Sequence, residues 1–282
     1  MPHPKLYLQF IETVRQGVNL LGDEQQAEVA EFVRQSQHSS GGYTDRAGSP
    51  DLYYSVFGSW LGEALDLKDS LLALNGWLEE QKLDDQQNSV HRFSLLFLQQ
   101  TRLGKRLSAY SLAQKLMMRD FPANFTYQIF LILLLVDTSY GQKSWLCFLG
   151  RWMLRFYSIP KEAPSSVIAA LMVARSSLGL KTSEFAADLL DGFQKEGAFV
   201  AFRGMDDPDL LSTGVALFAL LRSGEDLREI APNSLDFIQE NYRKGAFVAG
   251  DDDSQPDLEY TFYGLLALGS LAEVFGVKRH ET

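Results

Sequence analysis

Gly245-Ala-Phe-Val-Ala-Gly-Asp-Asp-Asp-Ser-Gln-Pro-Asp257-Leu-Glu-Tyr-Thr261-Phe-Tyr-Gly-Leu-Leu-Ala-Leu-Gly269 is the stretch whose reading decides the fold. A small residue and an aromatic form a turn, a polar loop follows, and Pro-Asp opens an apolar helix. The same unit stands upstream as Gly197-Ala-Phe, a loop, Pro208-Asp209-Leu-Leu-Ser-Thr213 and another apolar helix. A shift of 48 positions carries Gly197 onto Gly245, Asp209 onto Asp257 and Thr213 onto Thr261. A third copy lies near the start: Gly41-Gly-Tyr43, then Pro50-Asp51-Leu-Tyr-Tyr-Ser55. A fixed period of this length marks a repeat architecture before any single motif is considered.

The chemistry of the unit explains its shape. Glycine supplies the positive backbone angle of the turn. Proline presets its own φ and keeps the preceding residue extended. Aspartate after it accepts from the free amides of a first helical turn. Each copy therefore reads as an outer helix, a glycine-aromatic turn, a polar loop and an Asp-capped inner helix.

Between the copies, apolar residues recur at helical spacing. Segment 6–34 carries Leu6, Phe10, Val14, Val18 and Leu21, then Val29, Phe32 and Val33 after Gly22-Asp23. Further helices are predicted over 51–65, 70–81, 89–100, 107–118, from Asn124 to Val136, over 143–157, 166–175 with Ser165 as its cap, and 182–195. Inner helices then start near Asp51, Ser89, Asn124, Ser165, Asp209 and Asp257, at intervals of 35 to 48 residues. Six such pairs can close on themselves. The expectation is an all-α fold, an α/α toroid of six inner and six outer helices, built as one domain over residues 1–282. No segment shows strand alternation and no long Pro/Gly/Ser linker divides the chain.

Composition bounds the function. The chain has 282 residues, 46% hydrophobic, with a formal net charge of −10. That balance argues against a nucleic-acid surface, which needs a basic face. The longest apolar run, Ile129 to Val136, is too short to span a bilayer, which takes about 20 residues. The single Cys147 reads as a buried thiol in a reducing compartment. These features lead to the expectation of a soluble cytoplasmic protein without a transmembrane segment.

The repeat resembles that of the prenyltransferase and squalene-cyclase family, most clearly at 41–65, 196–221 and 244–270. It is most similar to the β subunit of protein prenyltransferases such as Rab geranylgeranyltransferase. The resemblance implies a toroid with an apolar, isoprenoid-binding centre. In that subunit Pro-Asp-x-Cys and Asp-x-x-His-Thr supply a catalytic zinc. Here the first motif reads Pro208-Asp209-Leu210-Leu211 and the second Asp257-Leu258-Glu259-Tyr260-Thr261. Leu211 and Tyr260 stand in the cysteine and histidine slots, so no zinc is expected. Arg203 falls at the family's diphosphate-binding arginine, while Asp206 replaces its lysine.

Class II terpene cyclases are the second comparison. Their proton donor lies in Asp-x-Asp-Asp-Thr, which Asp257 to Thr261 matches in part, with Glu259 at the acid position. Asp257 and Glu259 are therefore the candidate catalytic residues of a cyclase-like or divergent transferase reading. Arg203, Tyr54, Tyr260 and Asp209 are the candidate ligand-binding residues, with Arg203 expected as the one cation near the mouth of an aromatic cavity and Tyr260 just inside it, facing Tyr54. Asp206, Asp207, Asp251, Asp252 and Asp253 read first as solvated loops, with a Mg²⁺ or Ca²⁺ site as the sharper alternative. His91 reads as a core or cavity-wall residue. The expected partner is an apolar or isoprenoid small molecule or a peptide tail, with a protein-interaction scaffold as a further alternative.

Overall fold

A computed structural model describes residues 5–83, 89–105, 134–139, 145–158, 162–194, 196–250, 253–272 and 274–276. In order, the elements are α1 (Leu6–Asn19), α2 (Asp23–Gln35), α3 (Leu52–Ala64), α4 (Lys68–Glu80), α5 (Ser89–Leu103), α6 (Trp145–Arg155), α7 (Ser165–Ser177), α8 (Ser183–Leu190), α9 (Leu210–Ser223) and α10 (Ala231–Glu240). After them come β1 (Tyr242–Arg243), β2 (Ala246–Phe247) and α11 (Leu258–Ala272). Residues 134–139 are also helical. The predicted helix at 107–118, the start at Asn124 and the side chain of Cys147 lie outside the described residues.

The architecture is an α/α toroid. Inner helices α3 and α5 adjoin, as do α7 and α9, α9 and α11, and α11 and α3. Tyr53 meets Glu259 and, one turn on, Phe57 meets Tyr263, so α3 and α11 run parallel. The inner helices are apolar on nearly every face, as expected of helices enclosed all round. In α11, only Glu259, Tyr260 and Tyr263 escape full burial. Outer helices such as α2 bury only a stripe, Val29 and Val33.

The three capped starts behave as the unit demands. Asp51 accepts from Tyr54 N at 2.9 Å, Asp209 from Ser212 N at 2.9 Å and Asp257 from Tyr260 N at 2.8 Å. The hydroxyl four residues after each aspartate has its own task. Ser55, Thr213 and Thr261 accept the buried main-chain amides of Tyr43, Phe199 and Phe247 at 3.0, 2.9 and 3.2 Å. Those three rings are fully buried, the two phenylalanines contributing about 1.5–3 kcal/mol each.

The turn glycines make the lateral joints. Gly41, Gly197 and Gly245 have φ of 103°, 92° and 89°. A Cβ on them would lie 2.3 Å from Ala73 O in α4, 2.1 Å from Asn233 O in α10 and 2.4 Å from Glu28 O in α2. Each turn thus presses on the next outer helix, and the last presses on the first, which closes the ring. Tyr242 reinforces this seam by donating to Glu28 Oε2 at 2.7 Å.

Helix α1 belongs to neither layer. At one end Asp137 Oδ2 accepts from Leu6 N at 2.7 Å and Lys5 Nζ donates to Thr138 O at 2.9 Å. At the other end, Gly17 and Gly269 bring α1 and α11 into backbone contact: a Cβ on Gly269 would lie 1.7 Å from Thr13 O. Between them Phe10 touches Trp60, Phe218 and Phe262 at centroid distances of 5.6, 4.7 and 6.3 Å. The helix lies across the ring and closes one end of it.

Two local expectations are corrected. Ser165 is the first residue of α7 rather than its cap, because its hydroxyl donates to Val200 O at 2.6 Å. Helix α8 ends at Leu190, since Phe193 bridges to Phe199 in the next turn. The chain also forms the short antiparallel pair β1–β2, with Tyr242 opposite Phe247; the bridges Gln37–Tyr43 and Phe193–Phe199 are its counterparts.

Replacing Gly245 with alanine combines backbone strain of roughly 1–3 kcal/mol with the clash on Glu28 O. Gly48, at φ 82° with nothing within 4 Å of its would-be Cβ, isolates the backbone share. In chemical denaturation Gly245→Ala is expected to lose more stability than Gly48→Ala; equal losses would refute the joint.

Candidate functional site

The centre of the ring is a cavity of about 200 Å³. Its wall comes from α3, α5, residues 134 and 135, α7, α9 and α11, with Phe10 of α1 among the lining residues. Toward the capped ends of the inner helices the lining is partly exposed at Tyr53, Val90, Ser166, Leu211, Glu259 and Tyr263. Toward α1 it is closed by Phe10, Trp60, Phe97 and Phe218, all buried. The cavity therefore has a floor made of α1 and a mouth at the caps.

Aromatic rings dominate the lower half. Phe57, Trp60 and Phe262 meet at 5.0 to 5.9 Å in tilted or edge-on pairs. Such walls favour apolar ligands and present negative ring faces to a cation.

Glu259 is the only carboxyl among the described lining residues. It belongs to the first turn of α11, two residues beyond the cap, which turns it inward while Asp257 holds the helix end. The Tyr53 hydroxyl donates to its Oε1. Burial pushes the Glu259 carboxyl up from its ordinary 4.5 to about 7. The nearby charges of Asp257 and Asp209 add to the rise; the Tyr53 hydrogen bond and Arg46 oppose it. Around neutral pH this group is poised to hold or release a proton inside an apolar chamber.

Asp257 is differently placed. It is 6% exposed and absent from the lining. One oxygen accepts from Tyr260 N; the other accepts from Arg46 Nε at 2.7 Å and from Tyr54 OH at 3.4 Å. Arg46 also pairs with Asp253 and stacks over the Tyr260 ring, 5.7 Å from its centroid. Burial, then the charges of Asp257 and Glu259, push the Tyr54 phenol up to about 12, so it stays a donor.

The candidate residues thus separate. Asp257, Tyr54 and Tyr260 meet at the mouth around Arg46, and none of the three lines the cavity. Asp209 caps α9, also accepting from the Ser212 hydroxyl. Arg203 turns outward to Asp188 of α8, pairing at 2.8 Å with its carboxylate and at 3.1 Å with its carbonyl. An ion-pair partner on an outer helix competes directly with a ligand head group, and Arg203 does not border the cavity. His91 likewise pairs with Asp51 at 2.9 Å and is not in the cavity lining.

Spacing within the repeat did not single out Arg46. Its only sequence signal is that it is the one cation in the polar loop of the first copy, the counterpart of the acidic loop before Asp257. Phe10 as a floor left no motif at all.

The donor set does not fit zinc. Leu211 presents an alkyl chain to the cavity, Tyr260 lies under a guanidinium and Asp209 is engaged at its cap. Among the described residues no group of three or more His, Cys, Asp or Glu side chains is placed to share a metal ion. In the acidic loops, Asp206 and Asp207 are exposed and Asp253 is paired with Arg46; Asp251 and Asp252 lie outside the described residues. Among the described residues no helix is long and apolar enough to cross a membrane.

No protein-family model matches the chain, and no curated protein matches it. Among solved structures it is similar to ent-copalyl diphosphate synthase from Streptomyces platensis, with a TM-score of 0.42 and 14% sequence identity. The match covers 95% of this chain and 50% of the synthase, so the chain spans about half that protein's length.

The raised Glu259 carboxyl has a thermodynamic signature. The folded state keeps a proton that the unfolded chain releases above about 4.5. This contribution to stability is full below that pH and is lost as pH rises toward about 7. Its size is on the order of 1–3 kcal/mol. Denaturation midpoints measured across this range should fall more steeply in the wild type than in Glu259→Gln. Parallel slopes would refute the shift.

Proposed function

We propose that the toroid binds a neutral, isoprenoid-like apolar ligand in the central cavity, with Glu259 as the polar contact at the mouth. The observation that carries this reading is the lining itself: aromatic and aliphatic side chains around one carboxyl, with a floor and an accessible mouth. Apolar pockets with a few placed polar groups are the usual form of a small-molecule site. A cavity at the centre, in place of packed side chains, favours a ligand over a pure scaffold.

Size and charge narrow the ligand. An apolar cavity of about 150 Å³ accepts benzene, so this one suits a compact group somewhat larger. At the mouth Arg46 is held by two carboxylates, and Asp209 and Glu259 stand near. Anionic head groups are repelled there, which favours alcohols over diphosphates. Prenyl transfer through zinc is not supported, because Leu211 and Tyr260 occupy its ligand slots.

The second reading is acid catalysis by Glu259, which its raised pKa keeps protonated below about 7. A protonated Glu259 would give its proton to one alkene carbon, leaving a tertiary cation on the other and a carboxylate hydrogen-bonded by Tyr53. Return of a neighbouring C–H proton to the Glu259 carboxylate, its electron pair forming the new alkene, completes the balance and restores the acid. Asp257 is less suited to that step, since its oxygens already serve Arg46, Tyr54 and the helix cap.

Trp60 lines the cavity and reports binding by fluorescence. Prenyl alcohols should quench or shift it, with diphosphates weaker by about tenfold. Val215→Trp, which fills the partly exposed wall, should abolish the response while an unchanged thermal transition shows that the ring persists. Unchanged binding in a folded Val215→Trp would overturn the ligand reading. Product formation by the wild type that survives Glu259→Gln would overturn the acid reading alone.

A further inference from the structure

Helix α6, with Phe156 just beyond its last residue, carries a surface that the cavity does not use. Phe148, Trp152 and Phe156 recur every four residues and are 75%, 60% and 72% exposed. Leu149 and Met153 extend the same face, 44% and 48% exposed. Trp152 and Phe156 stack edge to face at 5.9 Å and so form one continuous apolar ridge. Leu154 is the anchoring residue: it is 2% exposed, and its carbonyl accepts from Arg175 of α7. Leaving such a ridge in water is costly, and on soluble surfaces ridges of this kind mark an interaction site.

The charge around the ridge points to its partner. Arg151 and Arg155, one turn apart and both exposed, flank the aromatic side chains. Between Trp145 and Arg155, α6 itself carries these two arginines and not one Asp or Glu. This stands out in a chain of formal net charge −10. The acids elsewhere are screened beyond a Debye length of about 8–10 Å, so the local sign decides the contact.

We propose that α6 docks the protein on an anionic lipid bilayer. Phe148, Trp152 and Phe156 enter the boundary between head groups and acyl chains, while the guanidinium groups reach lipid phosphates. Rings beside arginines on a short amphipathic helix suit that boundary, because the long cationic side chains extend to the charged layer as the rings sink below it. The helix lies in the interface and does not span the bilayer. This inference is independent of what the cavity binds.

Flotation with phosphatidylcholine vesicles, with and without phosphatidylglycerol, tests it on the intact protein. The protein should float only with phosphatidylglycerol present, and added salt should release it. Arg151→Gln and Arg155→Gln should each weaken binding roughly fivefold. Trp152→Glu combined with Phe156→Glu should abolish it with helical circular dichroism unchanged, since both rings are exposed. Failure to float with either vesicle overturns the proposal, as does flotation that ignores these substitutions. A dimer in solution that the double glutamate variant dissociates, without vesicle binding, would assign the ridge to a second copy instead.

Discussion

A buried main-chain amide that has only one place to donate governs this structure. When a glycine turn delivers Tyr43, Phe199 or Phe247 beneath an inner helix, the amide of that aromatic leaves water. The hydroxyl of Ser55, Thr213 or Thr261 receives it. An unmet donor in such a position costs about 1–3 kcal/mol, so the turn and its helix are set together. The glycine then fixes the lateral contact, because only its bare Cα lets the turn meet the next outer helix. One local device thus supplies both the radial and the lateral joints of the ring.

The same device makes the site. Capping by Asp51, Asp209 and Asp257 gathers carboxylates at one end of the inner helices. Arg46 neutralises part of that charge by bridging Asp253 and Asp257. Two residues past the last cap, the helix turns Glu259 inward, where apolar walls raise its pKa to about 7. At the opposite end α1 seals the chamber with Phe10. The polarity of the cavity, acid at the mouth and aromatic at the floor, follows from the described inner helices pointing the same way.

Much of this was legible in the sequence for a physical reason. The turn glycine, Pro-Asp and the hydroxyl four residues on are local requirements, so they recur in register and reveal the inner helices. What depends on closure was hidden. The spacing of Leu6, Phe10, Val14 and Val18 specifies an apolar face on α1 but not its neighbour, and the neighbours are Asp137 at one end and Gly269 at the other. Arg203 and Arg46 show the same limit. The first matches a family spacing yet reaches Asp188 on an outer helix, whereas the second comes to the mouth only when the first and last loops meet. Glu259 was visible as a position in a motif; its raised pKa needs the walls that other repeats bring.

The seam between the last turn and the first outer helix also orders events in time. Arg46 and Asp257 are 211 positions apart, and Tyr242 and Glu28 are 214 apart. During synthesis α1 and α2 precede the Gly245 turn and α11, so their contacts with that turn and helix wait for the last repeat, although both already adjoin α3. Until then the part of the α1 stripe that meets α11 is bare, and contacts of such separation form slowly. A nascent ring is therefore an open arc in which the α11-facing side of α1 is uncovered.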